Sequence, residues 1–285
     1  MDQARISARK QSSASTQKPI PESLPMKIIQ LSDLHIMPPG KALYGKDPLW
    51  QLDLALQHIE QHHSDLNLMV ITGDLTQFGD ESSYQALKRR LQRLDWPAEL
   101  LIGNHDNREI FKKIFDKADY EDEFAHRSFT SNGLLHVLLD THKINHDEGE
   151  LCEKRIQWLE RTLRAHPHVP ALLYMHHPPF DAGIAGMDRC KLSNPLNLLN
   201  ALQAHRGRLL HIFTGHLHRA MAGQWQGFSV SCCKSPNHQV SLNRADPVMV
   251  YGVDEPTQYV VAFVTPGQCL IHHQDYGNQA QTFSL

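Results

Sequence analysis

The stretch that decides the fold is Leu66-Asn67-Leu68-Met69-Val70-Ile71-Thr72-Gly73-Asp74. It is an apolar run of strand length that stops at a glycine and an aspartate. The same pattern recurs along the chain. Residues 27–32 form such a run, followed by Asp33-Leu34-His35. Residues 98–103 form another and lead into Gly103-Asn104-His105-Asp106. Residues 171–175 run into His176-His177-Pro178-Pro179, and residues 209–214 into Gly215-His216-Leu217-His218. Residues 134–140 also read as a strand. Between the runs the period changes. Leu49, Leu52, Leu56 and Ile59 fall at helical spacing behind Asp47-Pro48, a helix start. Residues 82–94, 107–116 and 195–204 read as helices, and Ile156, Leu159 and Leu163 mark another helical face. After Arg219 come short strand-like runs separated by turn residues, ending near Ile271. Strand-helix alternation followed by a strand-rich end predicts an α/β domain. Its first sheet is expected to be largely parallel, and its second more antiparallel.

Composition narrows the class. A chain of 285 residues suits one large α/β domain or two small ones. The apolar fraction of 41% and charged fraction of 21% allow a substantial core. No run of about 18 apolar residues marks a transmembrane helix. Lys and Arg total 28 against 31 Asp and Glu, so no basic excess suits a dedicated nucleic-acid binder. Histidine is abundant, at 20 residues, and is a frequent metal ligand. The five cysteines have no C-x-x-C spacing, which favours reduced thiols in a cytoplasm. Cys232 and Cys233 read as small core residues on a strand. The first 25 residues hold five Ser, three Gln and three Pro without apolar periodicity. Residues 1–25 are therefore expected to be a disordered tail, or translation to begin at Met26. They lack the apolar stretch of a signal peptide. The catalytic domain is expected over residues 26–285.

Five strand ends each deliver Asp, Asn or His. In open α/β sheets sites assemble at the carboxyl ends of strands, so these residues are expected to converge. Singly, Asp33 or Asp74 could cap a turn, and a lone histidine could serve the fold. Jointly, five such ends point to a metal site. The residue types suit two ions about 3.5–4 Å apart. Asp74 lies in the middle of the set, as a bridging carboxylate should. Asp33 and His35 are two residues apart, as are His216 and His218. On a strand that spacing points both side chains the same way. Mixed nitrogen and oxygen donors suit Mn, Fe, Zn or Co better than Mg or Ca.

The blocks D-x-H, G-D, G-N-H-D, H-H-P-P and G-H-x-H, in this order over residues 26–219, resemble the calcineurin-like metallophosphoesterase superfamily. The resemblance implies a four-layer αββα sandwich of two mixed sheets flanked by helices. It implies that Asp33, His35, Asp74 and His218 hold one metal ion, and Asp74, Asn104, His176 and His216 a second. His105 would sit beside the phosphate without binding metal, with Asp106 orienting it. Asn104 and His105 would touch substrate. The H-x-P spacing favours His176 as ligand and leaves His177 behind it or in the fold. Within the superfamily the chain is similar to class III cyclic nucleotide phosphodiesterases and their glycerophosphodiesterase relatives. Gly149-Glu150-Leu151, Gln157-Trp158-Leu159, Gly183-Ile184-Ala185-Gly186-Met187-Asp188 and Asn237-His238-Gln239-Val240 carry that likeness. Arg189 and Lys191 read either as anion contacts or as a solvated loop, and stay outside the site.

Charge arithmetic fits the resemblance. Two divalent ions bring +4, and Asp33 with Asp74 bring -2, leaving a site that favours hydroxide from bound water. With that hydroxide the site is +1, which matches a phosphodiester and still admits a monoester. The implied reaction is in-line attack by metal-bound hydroxide, with His105 stabilising the phosphate or protonating the leaving oxygen. The expected substrate is a small phosphodiester, 3′,5′-cyclic AMP first and glycerophosphodiesters next. A phosphomonoesterase or pyrophosphohydrolase is the other enzymatic reading. A non-catalytic scaffold is expected to lack ligands, whereas all seven ligand positions are present. Homo-oligomerisation stays open.

Overall fold

In the computed structural model, the described residues are 25–116, 120–121, 123–242 and 249–277. The expected tail lies outside them, apart from Pro25. The chain forms strands β1 Met26–Leu31, β2 Leu68–Thr72, β3 Ala98–Leu101, β4 Arg127–Ser131 and β5 Leu134–Leu139. There follow β6 Ala171–Met175, β7 Leu209–Thr214, β8 Met221–Trp225 and β9 Phe228–Cys232. The last four are β10 Gln239–Val240, β11 Gly252–Val253, β12 Gln258–Thr265 and β13 Gln268–Asp275. The helices are α1 Pro48–His62, α2 Glu81–Leu91, α3 Arg108–Ile114, α4 Glu153–Ala165, α5 Ala185–Asp188 and α6 Pro195–Leu202.

Two large sheets result, in the orders β13-β12-β1-β2-β3 and β4-β5-β6-β7-β9-β8. Both are mixed: in the first, β1, β2 and β3 run parallel and β12 and β13 add antiparallel pairs on one side, and in the second a parallel centre, β5-β6-β7-β9, has antiparallel strands at both edges. The expectation of one largely parallel sheet and one antiparallel sheet is therefore corrected. The strand-rich end of the chain is divided between the two sheets. The β8–β9 hairpin extends the second, while β12 and β13 return to flank β1 in the first. Mixed sheets are what the family resemblance implied.

The parallel strands are covered on both faces, which is why their sequences are unbroken apolar runs. Along β1, Ile28 points between the sheets to pack with Val70, Leu172, Phe213 and Val260. Ile29 and Leu31 point the other way and pack with Leu52, Leu56 and Phe111 of α1 and α3. On the far side of the second sheet, Leu173 and Met175 pack with Trp158 and Leu159 of α4 and Leu198 of α6. Helix, sheet, sheet and helix thus form four layers. Local caps set the helix starts. Asp47 accepts from Leu49 N at 2.9 Å ahead of Pro48, and Asp80 accepts from Ser83 N at 2.9 Å. Strand β4, Arg-Ser-Phe-Thr-Ser, lacks an apolar run because it is a half-exposed edge, and its sequence does not announce it.

Candidate metal centre

Each candidate residue follows a strand end and sits in a loop. Beyond β1 and β2 the two loops run side by side. Asp33 N donates to Gly73 O at 3.0 Å, His35 N to Asp74 O at 2.9 Å and Ile36 N to Leu75 O at 3.0 Å. Asp33, His35, Asp74, His216 and His218 all have positive φ, at 56°, 47°, 47°, 71° and 50°. The expected strand alternation is therefore not what aims Asp33 with His35, or His216 with His218. Left-handed residues at alternate positions do so. Such conformations are uncommon for non-glycine residues, and they cluster where function needs a particular side-chain direction. Gly73 has φ +95°, and a Cβ there would strike the ring of His176.

The loops gather two sets of donor atoms. In the first set, Asp33, His35, Asp74 and His218 are all buried, with ligand atoms within 4.8 Å of one another. His35 Nε2 lies 3.1 Å from His218 Nε2 and 3.6 Å from Asp74 Oδ2. His218 Nε2 lies 3.4 Å from Asp33 Oδ1. In the second set, His176 Nε2 lies 3.4 Å from Asp74 Oδ2 and 3.2 Å from Asn104 Oδ1. His216 Nδ1 lies 3.1 Å from Asn104 Oδ1. Asp74 Oδ2 thus faces a histidine of each set. His216 N also donates to both oxygens of Asp33, at 3.0 and 3.1 Å, which ties the two sheets together.

Three of the outer ring nitrogens are engaged. His35 Nδ1 meets Gln77 Oε1 at 2.8 Å, His176 Nδ1 meets Thr72 O at 2.8 Å, and His218 Nδ1 meets His238 O at 3.0 Å. Each partner is an acceptor, so Nδ1 carries the hydrogen and the Nε2 lone pair faces the centre. Lone pairs and carboxylate oxygens converging on one spot are the arrangement that a cation satisfies.

Electrostatics agree. Burial opposes charge on His176, yet the Asp74 and Asp33 carboxylates raise it to about 9. These carboxylates therefore favour positive charge between them. Burial raises Asp33, against the pull of His218 and His176. Burial would also raise Asp74, but His176 and His105 outweigh it and hold it well below the usual carboxylate range. Burial lowers His35 well below its ordinary value and His216 to about 3, so both favour the neutral ligand form.

His105 lies beside the first set, its ring edge-on to His35 at 4.8 Å. Its backbone N donates to Asp74 Oδ1 at 2.9 Å, and its Nδ1 meets Gln77 O at 3.1 Å. The expectation that Asp106 orients His105 is corrected here. The Asp106 carboxylate instead accepts from Gly103 N, Leu75 N, Thr76 N, Thr76 Oγ1 and the Tyr84 hydroxyl, at 2.8–3.2 Å. It pins the loops after β2 and β3 to each other. Burial, then the nearby Asp74 charge, raises it to about 6. His177 joins His176 and His216 in a group whose ligand atoms lie within 4.8 Å of one another, while its Nδ1 lies 2.8 Å from Thr141 Oγ1.

Three residues of the site escape the sequence reading. Gln77 holds both His35 and His105. His238 lies in a quoted motif but gives no ligand signal, and its ring is 4.4 Å from that of His218. Tyr44 borders the same cavity of about 170 Å³ as Asp74, Asn104, His105 and His238.

Comparison with known proteins follows this geometry. The calcineurin-like phosphoesterase family matches residues 26–220. A probable cyclic nucleotide phosphodiesterase of Rhodopseudomonas palustris is 34% identical over 264 residues, covering 91% of this chain and 96% of its own. A probable glycerophosphodiester phosphodiesterase of Arcobacter nitrofigilis is 32% identical over 254 residues, covering 88% and 93%. A dimetal phosphatase from Danio rerio shares the fold, with a TM-score of 0.67 at 14% identity over 89% of this chain and 97% of its own. Among the described residues no helix is long and apolar enough to cross a membrane.

Proposed function

The chain belongs to the calcineurin-like phosphoesterase family, and on that premise we propose that it hydrolyses small phosphodiesters at a two-cation centre, 3′,5′-cyclic AMP first among them. The observation that carries the reading is Asp74 Oδ2, which faces His35 of one donor set and His176 of the other at 3.6 and 3.4 Å. Asp33, His35, Asp74 and His218 would hold one ion, and Asp74, Asn104, His176 and His216 the other. Mn, Fe, Zn and Co suit these mixed donors. When bound, two such ions supply an activated water at neutral pH and a clamp for phosphate oxygens. Gln77, Thr72 and the His238 carbonyl keep three imidazoles in the ligand tautomer. His105 projects beside Asp74, where it would meet the phosphate or the leaving oxygen. Cyclic nucleotides come first because the relative from Rhodopseudomonas palustris carries that name across nearly its whole length. Glycerophosphodiesters are the second reading, supported by the relative from Arcobacter nitrofigilis. The five cysteines are free thiols, which suits a reducing cytoplasm.

The test is metal analysis joined to a substrate panel with Mn²⁺. The panel comprises cyclic AMP, glycerophosphoethanolamine, bis-p-nitrophenyl phosphate and p-nitrophenyl phosphate. We expect about two ions per chain, activity lost on chelation and restored by metal, and diesters preferred. Asp74→Ala should deplete both ions. Metal-free protein with full, chelator-resistant activity refutes the centre, and a preference for the monoester refutes the substrate class.

A further inference from the structure

Beside the metal centre lies a second, larger cavity of about 520 Å³, bordered by Tyr44, Lys46, His238, Val240, Val250 and Val253. Four of these residues, Tyr44, His238, Val240 and Val250, also border the cavity over Asp74, Asn104 and His105. The two spaces are therefore neighbours across a shared wall. A phosphate held at the centre would direct one of its ester groups into the larger one. That volume lies within the range of small-molecule sites, roughly 300–1,000 Å³.

Tyr44 is the unusual part of the wall. The residue is 74% exposed, so it contributes little to the core. It sits at a two-residue turn in which Leu43 N donates to Lys46 O at 2.8 Å and Lys46 N to Leu43 O at 3.1 Å. Both central residues have positive φ, 52° at Tyr44 and 80° at Gly45. Turns of this kind favour Asn, Asp or Gly at the first central position. A bulky aromatic there is strained, and neither fold nor turn gains from it. The turn is tied to the far wall by Lys46 Nζ to Asp254 Oδ1 at 2.7 Å. The Tyr44 ring stands edge-on to His238 at 4.8 Å, which fixes it at the junction of the two cavities. The Lys46–Asp254 pair is neutral as a unit and does not compete with the metal centre for phosphate. Asn237 also borders the larger cavity.

We propose that the larger cavity is a subsite for a nucleobase, which stacks on Tyr44 while the phosphodiester lies at the metal centre. The proposal rests on the phosphodiesterase reading and selects within it. Every nucleobase presents a flat face for aromatic stacking, whereas a glycerol headgroup presents none. The valines offer apolar contact to the rest of the nucleoside.

The experiment compares wild type, Tyr44→Ala and Tyr44→Phe. Its first arm is the ratio of kcat/KM for cyclic AMP to that for glycerophosphoethanolamine. Loss of one base-stacking contact changes affinity by about 5- to 150-fold. The ratio should therefore fall about tenfold in Tyr44→Ala, mainly through KM, and return in Tyr44→Phe. The second arm is equilibrium binding of adenosine 5′-monophosphate against glycerol 3-phosphate by calorimetry, which needs no turnover. Nucleotide binding should weaken selectively in Tyr44→Ala. An unchanged ratio together with unchanged nucleotide binding overturns the subsite, as does a wild type that binds the two ligands equally. A wild type that hydrolyses neither diester overturns the phosphodiesterase reading instead, and the binding arm then decides the subsite alone.

Discussion

Replacing Gly103 with alanine tests whether the centre depends on close packing of backbone against ligand. A Cβ at Gly103 would lie 2.6 Å from Asp74 N and 2.6 Å from His176 Nε2, and would overlap Asp74 Oδ1. Ordinary carbon contacts begin near 3.5 Å, so these atoms must retreat by roughly 1 Å. None of them can do so cheaply. Asp74 N belongs to backbone, and His176 is held from behind by Thr72 O at 2.8 Å. The Asp74 carboxylate is held by His105 N at 2.9 Å. Overpacking of this kind costs about 1–3 kcal/mol of stability. A displacement of about 1 Å at reacting groups costs on the order of 100-fold in rate. Gly103→Ala should therefore unfold at lower urea, bind the ion near His176 more weakly and turn over at least about 100-fold more slowly. Gly223→Ala is the control, because its Cβ would meet nothing within 4 Å. The assays are urea unfolding, metal titration and diester turnover. A Gly103→Ala protein with the metal content and rate of the Gly223→Ala control would refute the packing argument.

Two further outcomes are expected. Asp140 is fully buried and accepts from Arg108 Nε at 2.7 Å and Nη2 at 3.1 Å, which brings it to about 2 against the opposing effect of burial. Its folded value lies below its unfolded one, so its contribution is complete above about pH 5 and is lost as pH falls from about 4 toward 2. That contribution is about 2.5 kcal/mol. Asp140→Asn leaves Arg108 buried without its carboxylate, removes one of the two that face Arg155, and should cost about 3–5 kcal/mol, or roughly 6–20 °C in Tm. Calorimetry showing an unshifted transition would count against it. His105→Ala should keep both ions and lose about 10²–10⁴-fold in turnover. Because Asp106 is engaged elsewhere, His105 is expected to stabilise phosphate charge, with similar losses for cyclic AMP and bis-p-nitrophenyl phosphate. A loss confined to cyclic AMP, whose leaving alkoxide needs a proton, would make His105 a general acid.

The blocks that meet at the candidate site are legible in the sequence because each is local. A strand, a tight turn and one or two polar side chains fit within ten residues, and the parallel strands of the two sheets bring such ends together. Asp33 beside Gly73, and His216 beside Asp33, follow from that topology. Sheet membership is not legible, since β9 and β12 both read as strands in the strand-rich end of the chain and only long-range pairing separates them. The aim of His35 and His218 was anticipated for the wrong reason, because left-handed backbone leaves no periodic trace in sequence. Adjacency in the chain does not identify the partners of Asp106. It follows His105 in the chain, but its side chain turns toward Leu75, Thr76 and Tyr84, which belong to other segments. Gln77 and Tyr44 carry no motif, and their positions follow only from the folded loops.

The place of β12 has a consequence for synthesis. Strand β1 leaves the ribosome well before β12, yet Met26 pairs with Val264 and Gln30 with Val260. At about 5–20 residues per second, roughly 10–50 s separate the emergence of the two strands. Throughout that interval the buried run Met26–Leu31 has an open hydrogen-bonding edge, even after β2 has paired with its other side. An open apolar edge is a template for pairing with another chain. The nascent protein is thus most exposed to misassembly before its last hairpin appears. Deleting β12 and β13 would make that transient edge permanent, and would do so without removing a single proposed ligand.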